Sequence, residues 1–220
     1  MRPSSFPSAA VDWLVPTPRA RVLVLGRPSA PVVKHLSGAG HRLTLVDPTL
    51  EGARKLAQDA AASPTFVAEP QRLPFVPASF ETVVIHQGLH TLDVEAMSGQ
   101  LARVLTHYGH VAVSYIVRDD SVPWVRRLLG LLREVDSNAM QGGYGAESTA
   151  RLTDSRYFPE VEHHDFRLWV PVSRVGLLGM VASRFPDLEQ DRLTELLDEV
   201  GRLYESSARP PEPLLLPYKV

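Results

Sequence analysis

Gly26 and Asp47 stand 21 residues apart, and each closes a short apolar run. Arg21 to Leu25 is a continuous β-branched and leucine stretch that ends on Gly26, and Leu43-Thr44-Leu45-Val46 ends on Asp47. A glycine between a buried strand and a helix lets the helix's unpaired N–H groups and its positive end face an anion. A carboxylate at the tip of the next strand accepts hydrogen bonds from two ribose hydroxyls. The two together describe a niche for an adenosine-containing ligand, and this pattern alone serves nicotinamide and adenosyl cofactors alike. Asp47 followed by Pro48 equally suits the start of the next helix as its N-cap, and one carboxylate can do both.

The remaining reactive side chains carry less. His90 is the first candidate for a general base, because imidazole groups exchange protons near neutrality. Its alternative is a helix-start or packing histidine; His86, on the preceding strand end, is the second candidate. His163-His164 with Asp165 looks like a metal motif, but neighbours on a strand point to opposite faces, so no metal site is expected there. Arg126, Arg127 and Arg133 share one helical stretch, either as an anionic-substrate patch or as a solvated face. With no cysteine in the chain, disulfides, zinc ribbons, iron–sulfur centres and thiol nucleophiles are excluded.

The elements that must hold these residues follow from patterning. The 220 residues are 44% hydrophobic with a formal charge of −2, which suits a packed core and offers no attraction for nucleic acid or an anionic membrane. No apolar run reaches the roughly 18 residues of a membrane span, and the proline-broken start lacks a signal-peptide core. A cytoplasmic protein is the expectation. Residues 1–19 read as an irregular arm with Trp13 and Leu14 pinning it, and residues 20–220 as a single α/β domain. Strands are expected at Arg21 to Leu25, Leu43 to Val46, Thr65 to Val67, Phe80 to Ile85 and His110 to Val117. Helical segments alternate with them, one with Val94, Met97, Leu101 and Val104 on one face. Such alternation means βαβ units and a mostly parallel sheet covered on both faces. Beyond it lie a helix over Val122 to Val135 and a glycine-rich flexible loop at 136–150. Within a C-terminal elaboration (151–220) come a strand near Phe166 to Val172, a helix from about Asp187 to Tyr204, and a short edge strand at Leu214 to Tyr218, where proline is tolerated.

From about residue 20 onward the chain resembles the class I S-adenosylmethionine-dependent methyltransferases, in particular a small-molecule group with a Gln-x-x-His-Trp-x-Asp signature. The matching pieces are Arg21-Val22-Leu23-Val24-Leu25-Gly26, Gly40 to Pro48, Leu73-Pro74-Phe75, Gln87-Gly88-Leu89-His90-Thr91-Leu92-Asp93 and Ala102-Arg103-Val104-Leu105. Arg118 to Trp124 and Leu216-Pro217-Tyr218 complete the series. The resemblance implies a Rossmann-like, seven-stranded methyltransferase fold with S-adenosyl-L-methionine as cofactor and a small molecule as substrate. It places Gly26 against the methionine moiety, Asp47 on the ribose hydroxyls, Glu69 at the adenine edge and Gln87 under the sulfonium with Gly88 beside it. His90 and Asp93 fall on the substrate side.

The chain departs from that pattern after the first strand. Of the family's Gly-x-Gly-x-Gly turn only Gly26 remains, with Pro28 and Ala30 at the other two positions. Pro28 has no N–H and a fixed φ. One lost donor to a carboxylate is worth roughly 1.5–3 kcal/mol, or about ten- to hundredfold in affinity. Arg27 offers compensation by pairing with that carboxylate directly. Thr91 stands where the family has tryptophan. Two expectations follow. One is a methyltransferase; the other is a non-catalytic protein of the same fold that has lost the cofactor and serves as a partner-binding or regulatory subunit or a homodimer. A nicotinamide-dependent oxidoreductase is a third and weaker reading.

Overall fold

The computed structural model describes residues 6–26, 30–60, 62–136 and 146–220. In chain order it comprises α1 (Ser8–Leu14), β1 (Arg21–Leu25), α2 (Ala30–Gly38), β2 (Arg42–Asp47), α3 (Leu50–Asp59), β3 (Thr65–Val67) and β4 (Phe80–His86). A 3-10 turn (Leu89–Thr91), α4 (Val94–Val104), β5 (Leu105–Ser114), β6 (Val117–Arg118), α5 (Pro123–Val135) and α6 (Ala146–Thr153) follow. The chain ends with β7 (Arg167–Val172), α7 (Arg174–Ala182), α8 (Gln190–Ser207) and β8 (Leu214–Lys219). Among the described residues two compact units separate, one made of 6–116, 146–166 and Val220, the other of 117–136 and 167–219.

The first unit is built on five parallel strands in the order β3-β2-β1-β4-β5. β1 lies at the centre, and Val22, Leu23 and Val24 are each 0% exposed. Strand alternation sends Val22 and Val24 into one layer with Val33, Leu36 and Leu56, and Leu23 and Leu25 into the other with Met97, Leu101 and Leu152. Burial on both faces is why β1 reads as an unbroken apolar run rather than an alternating one. Glu81 fixes its register against β4 by accepting from the Arg21 main-chain N–H at 2.6 Å and from its guanidinium at 2.5 Å. On α4, Val94, Met97, Leu101 and Val104 are all buried as the spacing requires, and Asp93 caps the helix, accepting from the Ala96 N–H at 3.0 Å.

Two local readings change. The arm contains a helix: Pro7 occupies the N-cap position of α1, its carbonyl accepts from Ala10 and Val11, and Ala10, Val11 and Leu14 are buried. Four prolines within the first eighteen residues mask that short amphipathic stretch. β5 begins at Leu105, immediately after α4, and ends at Ser114, where the sequence suggests His110 to Val117. The pairing jumps from Phe80↔Leu105 to Thr82↔His110, so the early part of β5 is irregular and lacks a two-residue period.

The second unit holds a three-stranded antiparallel sheet, β6-β8-β7, with α5, α7 and α8. The later strands therefore form a sheet of their own among the described residues; they do not extend the parallel one to seven. β8 is the middle strand, which corrects the edge placement inferred from Pro217. Pro217 fits there because it is opposite Trp169, and its main-chain groups point to the β6 side, where its carbonyl accepts from Asp119 at 3.0 Å. β6 is only two residues long, so the donor that proline lacks has no ladder partner to disappoint.

Asp119 is the polar centre of this unit and is 0% exposed. Its Oδ1 accepts from the Ser121 N–H at 3.1 Å and hydroxyl at 2.6 Å, with Arg167 Nε 3.3 Å and Lys219 Nζ 3.5 Å away. Burial pushes its carboxyl up, but the Ser121 bonds and the two cations outweigh burial and hold it below the ordinary aspartate range. A depressed folded-state value means stabilisation that is complete above the unfolded value and lost as pH falls through the folded one. Denaturation midpoints measured between about pH 5 and pH 2 are expected to fall more steeply for the wild type than for Asp119→Asn.

Candidate functional site

Leu25 pairs with both Val46 and Ile85, so the next residues, Gly26, Asp47 and His86, form one row across the carboxyl ends of β1, β2 and β4. Val67 and Ser114 extend the row at either side. With strands spaced about 4.8 Å, the tips of β2 and β4 lie on the order of 10 Å apart, with Gly26 between them. The strand order reverses at β1 and β4, the place where open α/β sheets leave a crevice. Gly26 has φ +79° and donates to the Val46 carbonyl at 3.0 Å. Apart from its chain neighbours, no described atom lies within 4 Å of where a Cβ would stand, and the left-handed backbone favours glycine.

Asp47 is 1% exposed. Alternation along β2 turns its carboxylate toward α3, where Oδ1 accepts from the Thr49 N–H at 2.8 Å and hydroxyl at 2.6 Å. Thr49, not Asp47, is the N-cap, accepting from Gly52 at 3.0 Å, so Asp47 supports the helix start indirectly. Gly52 is the counterpart of this placement: a Cβ there would fall 2.2 Å from Asp47 Cγ. Gly52→Ala is therefore expected to expel the carboxylate from its seat. Against a helix-propensity gain of about 1 kcal/mol, crowding of about 1–3 kcal/mol gives net destabilisation, visible as a lower thermal midpoint.

The other sequence-derived positions take varied places. Glu69 is exposed two residues beyond β3, with its carbonyl accepting from Arg72 at 2.8 Å. Gln87 is half-buried, has φ +57° and donates its N–H to the Ser114 carbonyl at 2.8 Å. Gly88 follows it, its carbonyl accepting from both the Thr91 N–H (2.9 Å) and hydroxyl (2.7 Å). His90 is exposed on the 3-10 turn, its ring 6.3 Å from that of Tyr115. Burial pushes the Tyr115 hydroxyl up, and the N–H groups of Leu89 and His90 face it. Arg27 and Pro28, on which the altered turn depends, lie outside the described residues, as does most of the 136–150 loop, while Ala30 opens α2.

His163 and His164 take different neighbours: His163 is 3.5 Å from Asp165, whereas the His164 ring packs on Phe166 at 4.4 Å. The described residues hold no cluster of three or more histidine, cysteine or acidic side chains arranged for a metal ion. A cleft bordered by Ser8, Asp12, Lys34 and His35 lies at the far end of α2, near the amino ends of the strands, and is separate from this site.

Sequence reasoning singled out Arg103 only as part of a motif. In the structure its guanidinium donates to the carbonyls of Phe75 (2.5 Å) and Leu73 (2.9 Å), fastening α4 to the chain that runs from Glu69 to β4. Leu73-Pro74-Phe75 and Ala102-Arg103-Val104-Leu105 were matched only as separate pieces, and nothing in the sequence joins them.

A five-stranded parallel sheet with glycine, a carboxylate and a left-handed turn along its carboxyl tips defines a Rossmann-like α/β fold. Residues 23–113 match the family model described as a methyltransferase domain. The chain is 27% identical over 180 residues to uncharacterised methyltransferases of Mycobacterium tuberculosis and Mycobacterium bovis, covering 82% of this chain and 70% of theirs. Among solved structures it is similar to a protein described as a type II methyltransferase from Anaeromyxobacter dehalogenans, with TM-score 0.74 and 20% identity over 100% of this chain and 95% of that one. A protein described as a methyltransferase of an antibiotic biosynthesis pathway in Anabaena variabilis shares the fold with TM-score 0.60 and 13% identity, over 97% and 96% of the chains. The likeness to methyltransferase domains thus lies in residues 23–113, and the solved structures share the fold. Among the described residues no helix is long and apolar enough to cross a membrane.

Proposed function

We propose that this chain binds S-adenosylmethionine across the tips of β1, β2 and β4 and methylates a small molecule in the cytoplasm. The observation that carries the reading is Gly26: left-handed, clear of described atoms beyond its chain neighbours where a side chain would stand, and beside Asp47 across the strand tips. That is backbone a ligand can approach closely, beside a carboxylate suited to ribose hydroxyls, so the residues present fit the cofactor. When bound, the cofactor supplies a methyl group already activated by its sulfonium. What is left to the protein is to align the acceptor and keep water out. Asp47 takes the ribose, Glu69 the adenine edge, and Gln87 with Gly88 the region under the sulfonium. Arg27, by the resemblance, would pair with the cofactor carboxylate in place of the one N–H that Pro28 lacks. Where the acceptor must lose a proton, His90, exposed beside Tyr115, is the base.

Calorimetric titration with S-adenosylmethionine and with its demethylated product tests the reading. Saturable binding of both supports it. An absence of heat at millimolar ligand sinks it and favours a scaffold that has lost the cofactor.

A further inference from the structure

Gln87 is one of three non-glycine residues with positive φ among the described residues, and the only one of them at a strand tip in the candidate site. Such a conformation is costly for a residue with a side chain and persists only where its surroundings enforce it. The enforcing groups are visible. Ser114 grips both ends of the step: its carbonyl accepts from the Gln87 N–H at 2.8 Å, and its hydroxyl lies 2.8 Å from His86 Nδ1. His86 is 2% exposed and Ser114 6%, and the Phe6 ring meets the His86 ring edge-on with centroids 5.6 Å apart. Phe6 is itself 2% exposed, with its N–H directed at His35 Nε2 at 3.5 Å. The last residue of β4 is thus held from β5 on one side and from the segment before α1 on the other.

We propose that His86, clamped between Ser114 and Phe6, is a positioning residue that forces Gln87 into the left-handed turn presenting it to the cofactor. This rests on the reading that Gln87 lies against that cofactor. His86, 2% exposed, acts by denying the next residue its relaxed conformation. It also gives the segment before α1 a role in the site, because Phe6 closes the clamp.

A double-mutant cycle reads the clamp without any ligand. Glycine adopts φ +57° freely, so Gln87→Gly is expected to raise the thermal midpoint by about 2–4 °C. Ser114→Ala removes the hydroxyl but keeps the main-chain bond, and in that background the gain from Gln87→Gly is expected to vanish, because the turn is no longer enforced. A gain of equal size in both backgrounds overturns the proposal. The second arm is affinity for S-adenosylhomocysteine, expected to fall about tenfold in both Ser114→Ala and His86→Ala. His86→Asn, which keeps a nitrogen near the Nδ1 position, is expected to restore most of it. Unchanged affinity in Ser114→Ala with wild-type binding intact overturns the positioning role and leaves the methyltransferase reading standing. A wild type that binds no cofactor defeats the reading of the site, and the thermal cycle still decides the clamp.

Discussion

Asp47→Ala is expected to weaken S-adenosylmethionine binding by about a hundredfold, the loss that two charge-assisted bonds to ribose hydroxyls would carry on the proposed reading. The prediction is sharp because the same side chain has a second employment, accepting from the Thr49 N–H and hydroxyl at the start of α3. The two roles separate experimentally. Thr49→Ala removes the N-cap of α3 and the hydroxyl bond to Asp47, at about 1 kcal/mol of stability, and leaves the carboxylate in place. If Asp47 serves only the helix, Asp47→Ala and Thr49→Ala share a modest loss of stability and bind the ligand alike. If it serves the ribose, only Asp47→Ala loses affinity, and Asp47→Asn, which keeps an acceptor without the charge, falls between. The observed burial of Asp47 makes Gly52 part of the same argument, since that residue's missing side chain is the room the carboxylate uses.

Arg103→Ala is expected to cost the largest share of stability of any single polar substitution in the first unit, about 3 kcal/mol, or roughly 6–12 °C in thermal midpoint. The chain between β3 and β4 must cross β2 and β1 without a helix of its own. Arg103 is what ties it down, with two carbonyls held by one guanidinium and the Gln100 side chain holding that guanidinium at 2.8 Å. Its own carbonyl also accepts from Ala78 at 3.1 Å, a bond that survives the substitution. Lysine cannot reproduce a planar fork that reaches Leu73 and Phe75 at once, so Arg103→Lys is expected to recover little. Because Glu69 lies on the tethered segment, ligand affinity is expected to fall alongside stability. A midpoint unchanged in Arg103→Ala removes the tether from the account.

What could be read in advance was whatever strand burial writes into local composition. β1, β2 and β4 came through because burial demands nearly unbroken β-branched and leucine runs, and α4 because one buried stripe demands a 3.6-residue period. α1 hid behind prolines, although Pro7 stands where a helix can begin. α7 hid because Leu177, Met180 and Val181 sit among other apolar residues without a polar face to set a period. The middle position of β8 was beyond local reading: Pro217 argues for an edge until one knows that β6 stops after two residues. At the site, the strand-tip positions of Gly26 and Asp47 were legible because they follow from where the apolar runs end. The clamp on Gln87 and the reach of Arg103 were not, since Phe6, Ser114, Leu73 and Phe75 meet their partners only across long stretches of chain.

The central place of β1 has a consequence for biogenesis. Its first neighbour, β2, is translated soon after it, but the second, β4, arrives only later; Arg21 waits 60 residues for Glu81. Until then a nascent chain carries a fully apolar strand with one unsatisfied hydrogen-bonding edge, an invitation to adhere to its like on neighbouring ribosomes. Fragments ending before β4 should accordingly precipitate, and yield in a heterologous host should depend on chaperone supply more than the charge and size of the finished protein suggest.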